Sequence, residues 1–414
     1  MTSNTSKKVL IIAPQFKSIP SNGGGVEGLI TDLIAENEIQ KKCNFFVISK
    51  YSGYQIESEF TNTKIIYSEK FVKFKKHLQK KYYFNWLIQC FFRKLVRNRI
   101  GMKLFKNSKY LNFDDNYFGY FCLREALKIK PDSIVIFGYD KIHHFWQLVR
   151  RKGNNDIFYH LHYCRAEDRA SRNLIPNTIA VSKYVLDKWI TKPFPYERST
   201  SLNIGVDFKK FHYGFDTITI KKKRHEMGFD DNSFVVIFVG RFRPGKGVVE
   251  LLNAFNLISD NNIKLLMVGY FDRKSEEEKE YEDKVRNAIQ SNKNIFYSGF
   301  VPNHQLSLYY SCANVQVVPT VYEEAAGLVT IEGMLAGLPL IITKSGGMPE
   351  YVDDDCSFKL DIDRDLSKNI ASSILKLKDN PELCREMGSL SKKCASKFSI
   401  TQYYNNLLSF LFKK

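Results

Sequence analysis

The chain has 414 residues, a formal net charge of +18 at pH 7 and 44% hydrophobic residues, without a low-complexity tract. This length is enough for two globular domains of about 200 residues each. The eight cysteines stand singly, which argues against a disulfide framework or a zinc site and favours a reducing compartment. The positive charge favours a polyanionic partner, but composition alone does not distinguish nucleic acid, anionic lipid and phosphorylated ligands.

No apolar stretch reaches the roughly 20 residues that a membrane-spanning helix needs. The run from Val9 to Ala13, which follows the polar start MTSNTSKK, is too short for the core of a signal peptide. We therefore expect a protein that is made and kept in the cytoplasm.

The first fifty residues predict a βα unit of a doubly wound domain, followed by a second strand. A strand covers residues 7–13, a loop then ends in three glycines, and a helix runs from Val26 to about Asn37 before a strand at 45–49. A Gly-rich turn brings backbone N–H groups and the positive end of the helix close to a phosphate or sugar. GGGVEG alone is a weak signal, since a plain flexible loop has the same composition.

Residues 70–107 combine dense basic charge with aromatic side chains and contain no acidic residue. This pattern favours a helix that lies on an anionic bilayer, where each basic residue adds about 1 kcal/mol of binding. A solvated basic helix with its aromatic residues in the domain core is the alternative. Nucleic-acid binding is the least supported interpretation, because no nucleic-acid-binding module is visible.

Two further strands are predicted at 133–137 and 156–161, and a helix over 183–190. His162 follows the second of these strands, and His160 has the same facing. Either histidine could reach a cleft from the first domain, although a histidine at a strand end is more often structural. Residues 212–232 are polar and basic without clear periodicity and indicate an interdomain connection.

The second half restarts the alternation of strand and helix, which predicts a second doubly wound domain. The predicted strands cover 234–239, 264–268, 294–297, 315–318 and 340–342. The predicted helices cover 248–258, 274–290, 304–311, 365–378, 381–395 and 400–412. The last helix is apolar on one face and is expected to pack back on the first half of the chain. A ligand site is expected in the cleft between the two domains.

The segment GRFRPGKG (240–247) places Arg241 and Lys246 between a strand and the start of a helix. Arginine offers a planar fork for phosphate oxygens and lysine a mobile point charge, so the pair suits a diphosphate. The segment matches neither a Walker loop nor GxGxxG. Surface charges on a tight turn are the alternative interpretation.

Residues 319–352 predict a βαβ unit whose loops lie at one edge of the sheet, where ligands bind in open α/β sheets. Glu324 lies in the loop and Glu332 in the helix that follows. Taken alone, both would be surface carboxylates in most proteins. A carboxylate that faces a ribose accepts hydrogen bonds from its hydroxyls, and Arg241 and Lys246 could hold an anion in the same cleft. The acidic run 353–355 indicates a solvated turn rather than a metal site.

Together these motifs resemble the retaining glycosyltransferases of family four (glycosyltransferase group 1), which have the GT-B fold. EEAAGLVTIEGMLAGLPLI resembles their E-x7-E signature, GRFRPGKG their G-R-x-x-x-x-K-G turn, GGGVEG their Gly-Gly-x-Glu loop and SLNIGVDFKKF their hinge. The resemblance implies an α/β fold of two doubly wound, Rossmann-like domains that face a central cleft. It implies an acceptor-binding domain at 1–205, a donor-binding domain at 206–395 and a C-terminal helix, 396–414, that returns to the first domain.

The resemblance also implies residue roles. Catalysis would depend on Glu324, His162, Arg241 and Lys246, with Glu324 on the transferred sugar, His162 over the reacting sugar and the two cations on the diphosphate. Glu332 would bind the ribose. The other donor-binding positions are Gly24, Gly25, Phe300, Val301, Gly327, Leu328 and Val329. Two departures, Ala325-Ala326 in place of a bulky aromatic and Gly333 in place of alanine, could alter the fit of the donor sugar.

The implied activity is retaining transfer of a hexose-type sugar from a nucleotide-sugar, with a UDP-sugar favoured, to a lipid-linked or surface-polysaccharide acceptor. No metal or other cofactor is expected, because Arg241 and Lys246 replace it, and the expected partners include an anionic membrane surface at the inner face of the cell membrane but no nucleic acid. The abundance of Lys, Asn, Ile, Phe and Tyr is typical of an AT-rich bacterial genome. A noncatalytic GT-B subunit and a GT-B sugar-nucleotide epimerase are the alternatives.

Overall fold

A computed structural model describes the chain in several ranges. These are residues 6–14, 19, 21, 25–49, 60–68, 121–122, 124–137, 157–164, 177–189, 198–211, 214–271 and 276–413. Gly24 and the basic segment 70–107 lie outside the described residues, so the membrane-binding surface stays a prediction. Within the described ranges, no helix is long and apolar enough to cross a bilayer.

The first domain is built on a sheet of seven parallel strands in the order β3-β2-β1-β4-β5-β6-β7. Parallel sheets are covered on both faces, and the apolar runs KVLII and SIVIF are accordingly almost wholly buried. The strands are β1 (Lys8–Ile12), β2 (Asn44–Ser49), β3 (Thr63–Tyr67), β4 (Ser133–Phe137), β5 (Ile157–Leu161), β6 (Asn177–Ala180) and β7 (Ser199–Ser201). The helices with defined bounds are α1 (Val26–Gln40) and α2 (Lys183–Trp189).

The second domain has a sheet of six parallel strands in the order β10-β9-β8-β11-β12-β13. Its strands are β8 (Phe234–Phe242), β9 (Ile263–Phe271), β10 (Ile295–Gly299), β11 (Val315–Val318), β12 (Leu340–Thr343) and β13 (Ser357–Leu360). Its helices are α3 (Thr217–Glu226), α4 (Val248–Asn256), α5 (Glu276–Gln290), α6 (Asn303–Ser311), α7 (Leu328–Leu335), α8 (Leu366–Asp379) and α9 (Pro381–Ala395). In each sheet the first strand of the domain lies in the interior. Successive strands add toward one edge, and the order then reverses once toward the other edge, as in doubly wound folds. The predicted fold class is confirmed.

The prediction of a connection over 212–232 is wrong, because α3 lies inside this range. The Asp216 carboxylate caps α3 by accepting a hydrogen bond of 2.6 Å from the Thr219 N–H. Arg224 is buried and donates to the Cys312 carbonyl at 3.0 Å. The helix is thus held on the second domain by the polar contacts of Arg224 and by packing of Ile220 against that domain's core.

The chain crosses between the domains twice, and the two crossings run side by side. Val206 donates to the Phe398 carbonyl at 2.9 Å, and Ile400 donates back to the Val206 carbonyl at 3.0 Å. A Cβ atom on Gly205 would lie 2.4 Å from the Ser399 carbonyl oxygen, so only glycine fits this close approach.

The final helix, α10 (Ile400–Phe412), packs on the first domain. Its Tyr404 hydroxyl donates to Asn37 Oδ1 of α1 at 2.6 Å. The Phe410 ring packs edge-on against Phe158 of β5, with 5.6 Å between ring centroids. The end of the chain is therefore part of the first domain's core.

Gly333 of α7 has a packing reason on the core side of the helix. A Cβ atom there would lie 1.8 Å from Oε1 of Gln316, a fully buried residue in the middle of the second sheet. The Gln316 amide nitrogen donates to the Val329 carbonyl at 3.0 Å, which fixes the side chain in place. Glycine at 333 and glutamine at 316 are therefore coupled.

We expect Gly333→Ala to lower the free energy of unfolding by about 1–3 kcal/mol through overpacking. The added Gln316→Val substitution should recover part of this loss, because the shorter side chain removes the clash. Thermal unfolding of both single variants and the double variant measures the coupling. Strictly additive changes would show that the two positions do not interact.

Candidate active site

Two of the charged residues predicted from the sequence, Lys246 and Glu324, meet where the strand order of the second sheet reverses. β8 lies beside both β9 and β11, and the loop after β8 carries Lys246 while the loop after β11 carries Glu324. A crevice forms at such a switch point because the two connections leave toward opposite faces of the sheet. Arg241 is the next-to-last residue of β8 itself and is paired in register with Tyr270 of β9.

The loop after β8 docks tightly against the loop after β11. Gly247 has a left-handed φ of 73°, and a Cβ atom there would lie 1.7 Å from the Pro319 carbonyl oxygen. The Gly245 carbonyl accepts from the Val321 N–H at 2.9 Å. The Tyr322 ring lies 4.9 Å from Lys246 Nζ, a cation–π contact. These contacts bring the predicted diphosphate loop and the E-x7-E segment into one rigid unit.

Lys246 and Glu324 form an ion pair of 2.7 Å, with side chains only 18% and 21% exposed. The backbone of Glu324 is held by the Gly-Gly loop that follows β12. The Glu324 carbonyl accepts from the Gly347 N–H at 2.7 Å, and the Glu324 N–H donates to Ser345 Oγ at 3.3 Å. The carboxylate and the ammonium group are therefore placed before any ligand arrives.

Glu332, the second carboxylate of the motif, is partly buried on α7 and accepts a hydrogen bond of 3.0 Å from the Tyr310 hydroxyl. Burial raises the pKa of Glu332 to about 7, and the Tyr310 hydrogen bond opposes this shift. The Tyr310 ring is itself fully buried. Tyr310, which the sequence analysis missed, thus limits the rise in pKa that burial causes at a predicted ligand-binding carboxylate.

His160 of β5 and His162, which directly follows β5, have the same facing, as predicted, with ring centroids 4.5 Å apart. Burial lowers the pKa of His162 to about 3, so its imidazole is neutral at pH 7. Among the described residues, no group bonds to its buried Nε2 atom. His160 is fully buried and does not reach the cleft surface.

The residues after His162 face the second domain. Burial raises the pKa of Cys164 to about 12, and the nearby Glu323 and Glu324 carboxylates add to this shift. Burial also raises the pKa of Tyr163, with Arg241 close enough to oppose it. Tyr163 is 45% exposed, so the end of β5 presents an aromatic ring on the side of Arg241. The sequence analysis did not select it.

A set of hydrogen bonds ties α2 of the first domain to the E-x7-E loop and the segment after it. The Glu350 carboxylate accepts from the backbone N–H groups of Lys183 and Tyr184 at 2.7 and 2.8 Å. Glu323 accepts from the Tyr184 hydroxyl at 2.7 Å and from Lys188 Nζ at 2.6 Å. These contacts hold the two domains together on one side of the cleft.

Ser182 extends this junction to the backbone of the E-x7-E loop. Its hydroxyl donates to the Ala325 carbonyl at 2.8 Å, and a Cβ atom on Gly347 would lie 2.3 Å from Ser182 Oγ. The small residue at 325 thus lies against the first domain. None of these cross-domain partners was predicted, because they are more than 130 residues apart in sequence.

The other predicted positions occupy different surroundings. Gly25 is the N-cap of α1 with φ of 86°, a left-handed value that favours glycine. Gly327 is the N-cap of α7, so Leu328 and Val329 supply first-turn N–H groups at a positive helix end. Phe300 is 65% exposed, whereas the Val301 side chain is buried in the core, so only its backbone could touch a ligand.

Phe300 has an aromatic neighbour that the sequence analysis overlooked. The Tyr270 ring lies 5.6 Å from it, edge to face, and is 41% exposed. Tyr270 is next to Arg241 in the sheet. The two rings extend the switch-point crevice by an exposed aromatic wall.

Comparison with known proteins identifies the family of this site. Residues 219–393 match the family described as glycosyl transferases group 1. The second domain belongs to that family. The matched range contains the 240–247 loop and both glutamates, and the family predicted from the sequence is confirmed.

Two of the proteins with similar sequences are named as enzymes that act on a lipopolysaccharide or make a glycolipid. The chain is 27% identical over 242 residues to a lipopolysaccharide 1,2-N-acetylglucosaminetransferase of Salmonella typhimurium, covering 56% of this chain and 60% of that protein. It is 26% identical to an alpha-monoglucosyldiacylglycerol synthase of Acholeplasma laidlawii over 52% of each chain. Both alignments span less than two thirds of the relative's length.

The whole fold also has a close counterpart among solved structures. HepE of Anabaena, crystallised with UDP and glucose, superposes with a TM-score of 0.68 over 98% of this chain and 99% of its own, at 17% identity. At this identity the similarity establishes the shared fold alone. Together with the two doubly wound sheets, it confirms the predicted GT-B architecture.

Proposed function

We propose that the protein is a retaining, metal-independent glycosyltransferase that moves a hexose-type sugar from a nucleotide-sugar, with a UDP-sugar favoured. The observation that carries the proposal is the Lys246–Glu324 ion pair at the switch point of the second sheet. Arg241 lies near the end of the adjoining strand β8, and Glu332 lies on the helix that follows the Glu324 loop. Two cations suit the diphosphate of the donor, and two carboxylates suit hydroxyl groups on either side of it.

In this mechanism, the leaving nucleoside diphosphate develops negative charge that Arg241, Lys246 and the N-terminus of α4 stabilise. The Glu324 ion pair fixes Lys246 in advance, so little reorganisation accompanies donor binding. The acceptor hydroxyl attacks on the face of the leaving group, which retains the configuration, and a donor phosphate oxygen takes its proton. Glu324 holds the sugar hydroxyls and is not assigned as a nucleophile.

The rest of the donor would fit the surrounding surfaces. Glu332 accepts from the ribose hydroxyls, and the exposed rings of Tyr270 and Phe300 offer an apolar wall for the base. His162 lies over the reacting sugar as a neutral imidazole. Leu328 and Val329 direct their N–H groups toward the sugar and phosphate.

For the acceptor, we propose a lipid-linked or surface-polysaccharide precursor, used by a cytoplasmic enzyme bound peripherally to the inner face of the membrane. The activities in the names of the two relatives and the basic composition of residues 70–107 support this choice. Flotation with vesicles that contain anionic lipid, compared with neutral vesicles at low salt, tests the membrane contact. Equal recovery from both would contradict it.

A noncatalytic GT-B subunit and a sugar-nucleotide epimerase remain the competing functions. A noncatalytic subunit would not need the charged donor residues, all of which are present here. An epimerase would convert one nucleotide-sugar into another without any acceptor. Chromatography of the nucleotide products distinguishes free nucleoside diphosphate, expected from transfer, from an epimerised nucleotide-sugar.

The test of donor binding is thermal unfolding in the presence of UDP-glucose, UDP-galactose, UDP-N-acetylglucosamine and GDP-mannose. A ligand that binds only the native state stabilises it by about 2.7 kcal/mol at 100 times its Kd. We expect one UDP-sugar to raise the Tm more than UMP at equal concentration. No shift with any nucleotide-sugar would contradict the proposal.

Donor affinity should rise with pH between 6 and 8. Without ligand, burial holds the pKa of Glu332 at about 7, above its unfolded value, and only the ionised carboxylate accepts from both ribose hydroxyls. Because the ionised fraction grows from about a tenth to about nine tenths over this range, affinity should rise about tenfold. Calorimetric titration with a UDP-sugar measures the affinity at each pH. The diphosphate of a UDP-sugar has no terminal phosphate that ionises near pH 6, so the ligand itself does not add a pH dependence in this range.

Two variants control this experiment. Glu332→Gln should bind more weakly and show no pH dependence. Tyr310→Phe removes the hydroxyl that lowers the pKa of Glu332, so the midpoint should move to higher pH. A wild-type affinity that stays constant from pH 6 to 8 would exclude Glu332 as a titrating ribose ligand.

A further inference from the structure

The His162 imidazole belongs to a cluster of three rings at the carboxyl ends of β4 and β5. The centroid of Phe137 lies 4.5 Å from His160 and 5.8 Å from His162, while the two histidines are 4.5 Å apart. Phe137 and His160 are nearly parallel, at 11°, and the two histidines at 22°. Each ring therefore limits the rotation of the other two, and His160 is the ring that contacts both neighbours most closely.

His160 is tied to the end of the chain. Its Nε2 atom and the Tyr403 hydroxyl share a hydrogen bond of 2.5 Å between residues 243 positions apart in sequence. Both side chains are buried, with exposures of 0% and 2%. Tyr403 lies in the first turn of α10, just after the point where the second crossing between domains ends. The cluster is thus connected to the segment that returns from the second domain.

The composition of the cluster is costly for a purely structural core. Among the described residues, no group bonds to His160 Nδ1, which is buried. A phenylalanine at position 160 would fill the same space without an unpartnered polar atom. Burial lowers the pKa of His160 below its usual range and raises that of Tyr403, so the pair stays neutral and the hydrogen bond persists across the physiological range.

We propose that His160 and Tyr403 are positioning residues for His162, with the tail helix fixing the ring that holds the His162 imidazole over the reacting sugar. This inference rests on the proposed function, because it gives His162 its place in the reaction. Neither residue reaches the substrate. Loss of the hydrogen bond would let the His160 ring turn and would release His162 from its single orientation, which slows the reaction by misplacement.

The chain offers a matched pair of variants for the test. Tyr403→Phe and Tyr404→Phe each remove one buried hydroxyl from the same turn of α10, but the Tyr404 hydroxyl bonds to Asn37 of α1, away from the ring cluster. Both variants should lower the Tm by a similar amount. Only Tyr403→Phe should lower kcat, by about tenfold, with the donor KM within about twofold of wild type.

A double-mutant cycle separates positioning from general destabilisation. In a His162→Ala background, Tyr403→Phe should have no further effect on kcat, because the ring that it positions is absent. His160→Phe, which keeps a ring in place but cannot bond to Tyr403, should match Tyr403→Phe. Turnover is measured with whichever of the four nucleotide-sugars stabilises the wild type most.

The outcomes are distinct. Equal kcat for Tyr403→Phe and Tyr404→Phe in an active enzyme, or a Tyr403→Phe effect that persists in the His162→Ala background, overturns this inference and leaves the proposed function intact. A wild type that neither binds nor turns over any of the four nucleotide-sugars overturns the proposed function, and this inference with it.

Discussion

Arg241→Ala and Lys246→Ala should each lower the rate of sugar transfer by about 10²–10³-fold while the protein stays folded. Both cations face the diphosphate in the proposed mechanism, and removing one preorganised charge from a partly buried site costs about this much. Lys246→Ala should have the additional effect of leaving Glu324 without its ion-pair partner at 2.7 Å. Steady-state kinetics with the best donor measures the loss, and thermal unfolding checks the fold.

Lys344→Ala is a suitable control for these variants. Lys344 also pairs with a carboxylate, Asp361, at 2.9 Å, but the two side chains are 51% and 69% exposed. Surface pairs of this kind contribute about 0–1 kcal/mol, so activity and Tm should remain near wild type. Near-normal turnover by either Arg241→Ala or Lys246→Ala would refute the placement of the donor diphosphate.

Gly346→Ala should lower kcat/KM by about a hundredfold through the backbone of Glu324. Gly346 has φ of 55°, and an added Cβ atom would lie 2.2 Å from the Glu324 carbonyl oxygen. The E-x7-E loop must move to relieve this contact, and a displacement near 1 Å in a reacting site can cost about 10²-fold. The assay is kcat/KM for the donor together with its Kd from calorimetry.

Gly228→Ala separates backbone strain from displacement of the loop. Gly228 also has a left-handed φ, 74°, but no atom lies within 4 Å of an added Cβ atom. The substitution should cost about 1–2 kcal/mol of stability and leave kcat/KM unchanged. If Gly346→Ala were no more harmful to activity than Gly228→Ala, the Gly-Gly loop would have no part in placing Glu324.

The junction between the domains links the E-x7-E loop and the segment after the Gly-Gly loop to the first domain. Glu323 and Glu350 bind α2, while Ser182 bonds to the carbonyl of Ala325. Because Glu323 is adjacent to Glu324, a shift of the first domain would be transmitted to the carboxylate that we propose as the contact for the transferred sugar. Domain closure and donor placement are expected to be coupled through this short segment.

The fold was predictable wherever apolar runs were long enough to show their periodicity. β4, β11 and α10 were predicted with the bounds that the structure has, because β4 and β11 are mainly apolar runs and α10 has a clear amphipathic stripe. β3, β6 and β13 were missed, since the sequences TKIIY, NTIA and SFKL are short and partly polar. Their place is set by pairing with neighbouring strands, which a single sequence does not display.

The candidate site also contains residues that the sequence predicted and partners that it did not. Arg241, Lys246, Glu324 and Glu332 were predicted because each lies in a compact motif next to a strand end. Their partners were not, since contacts such as Tyr310 with Glu332 or Tyr403 with His160 join residues 22 and 243 positions apart. Gly333, first interpreted as a change in donor fit, instead accommodates the buried Gln316 amide. A motif identifies the groups that meet a ligand, whereas the tertiary fold decides what orients them.

The anomeric configuration of the product tests the central proposal most directly. With an α-linked nucleotide-sugar and excess EDTA, proton NMR of the sugar transferred to acceptor or to water should show an α-product. The initial rate should match that without chelator, because Arg241 and Lys246 serve in place of a divalent ion. A β-product, or a reaction that EDTA abolishes and divalent metal restores, would contradict a retaining, metal-independent glycosyltransferase.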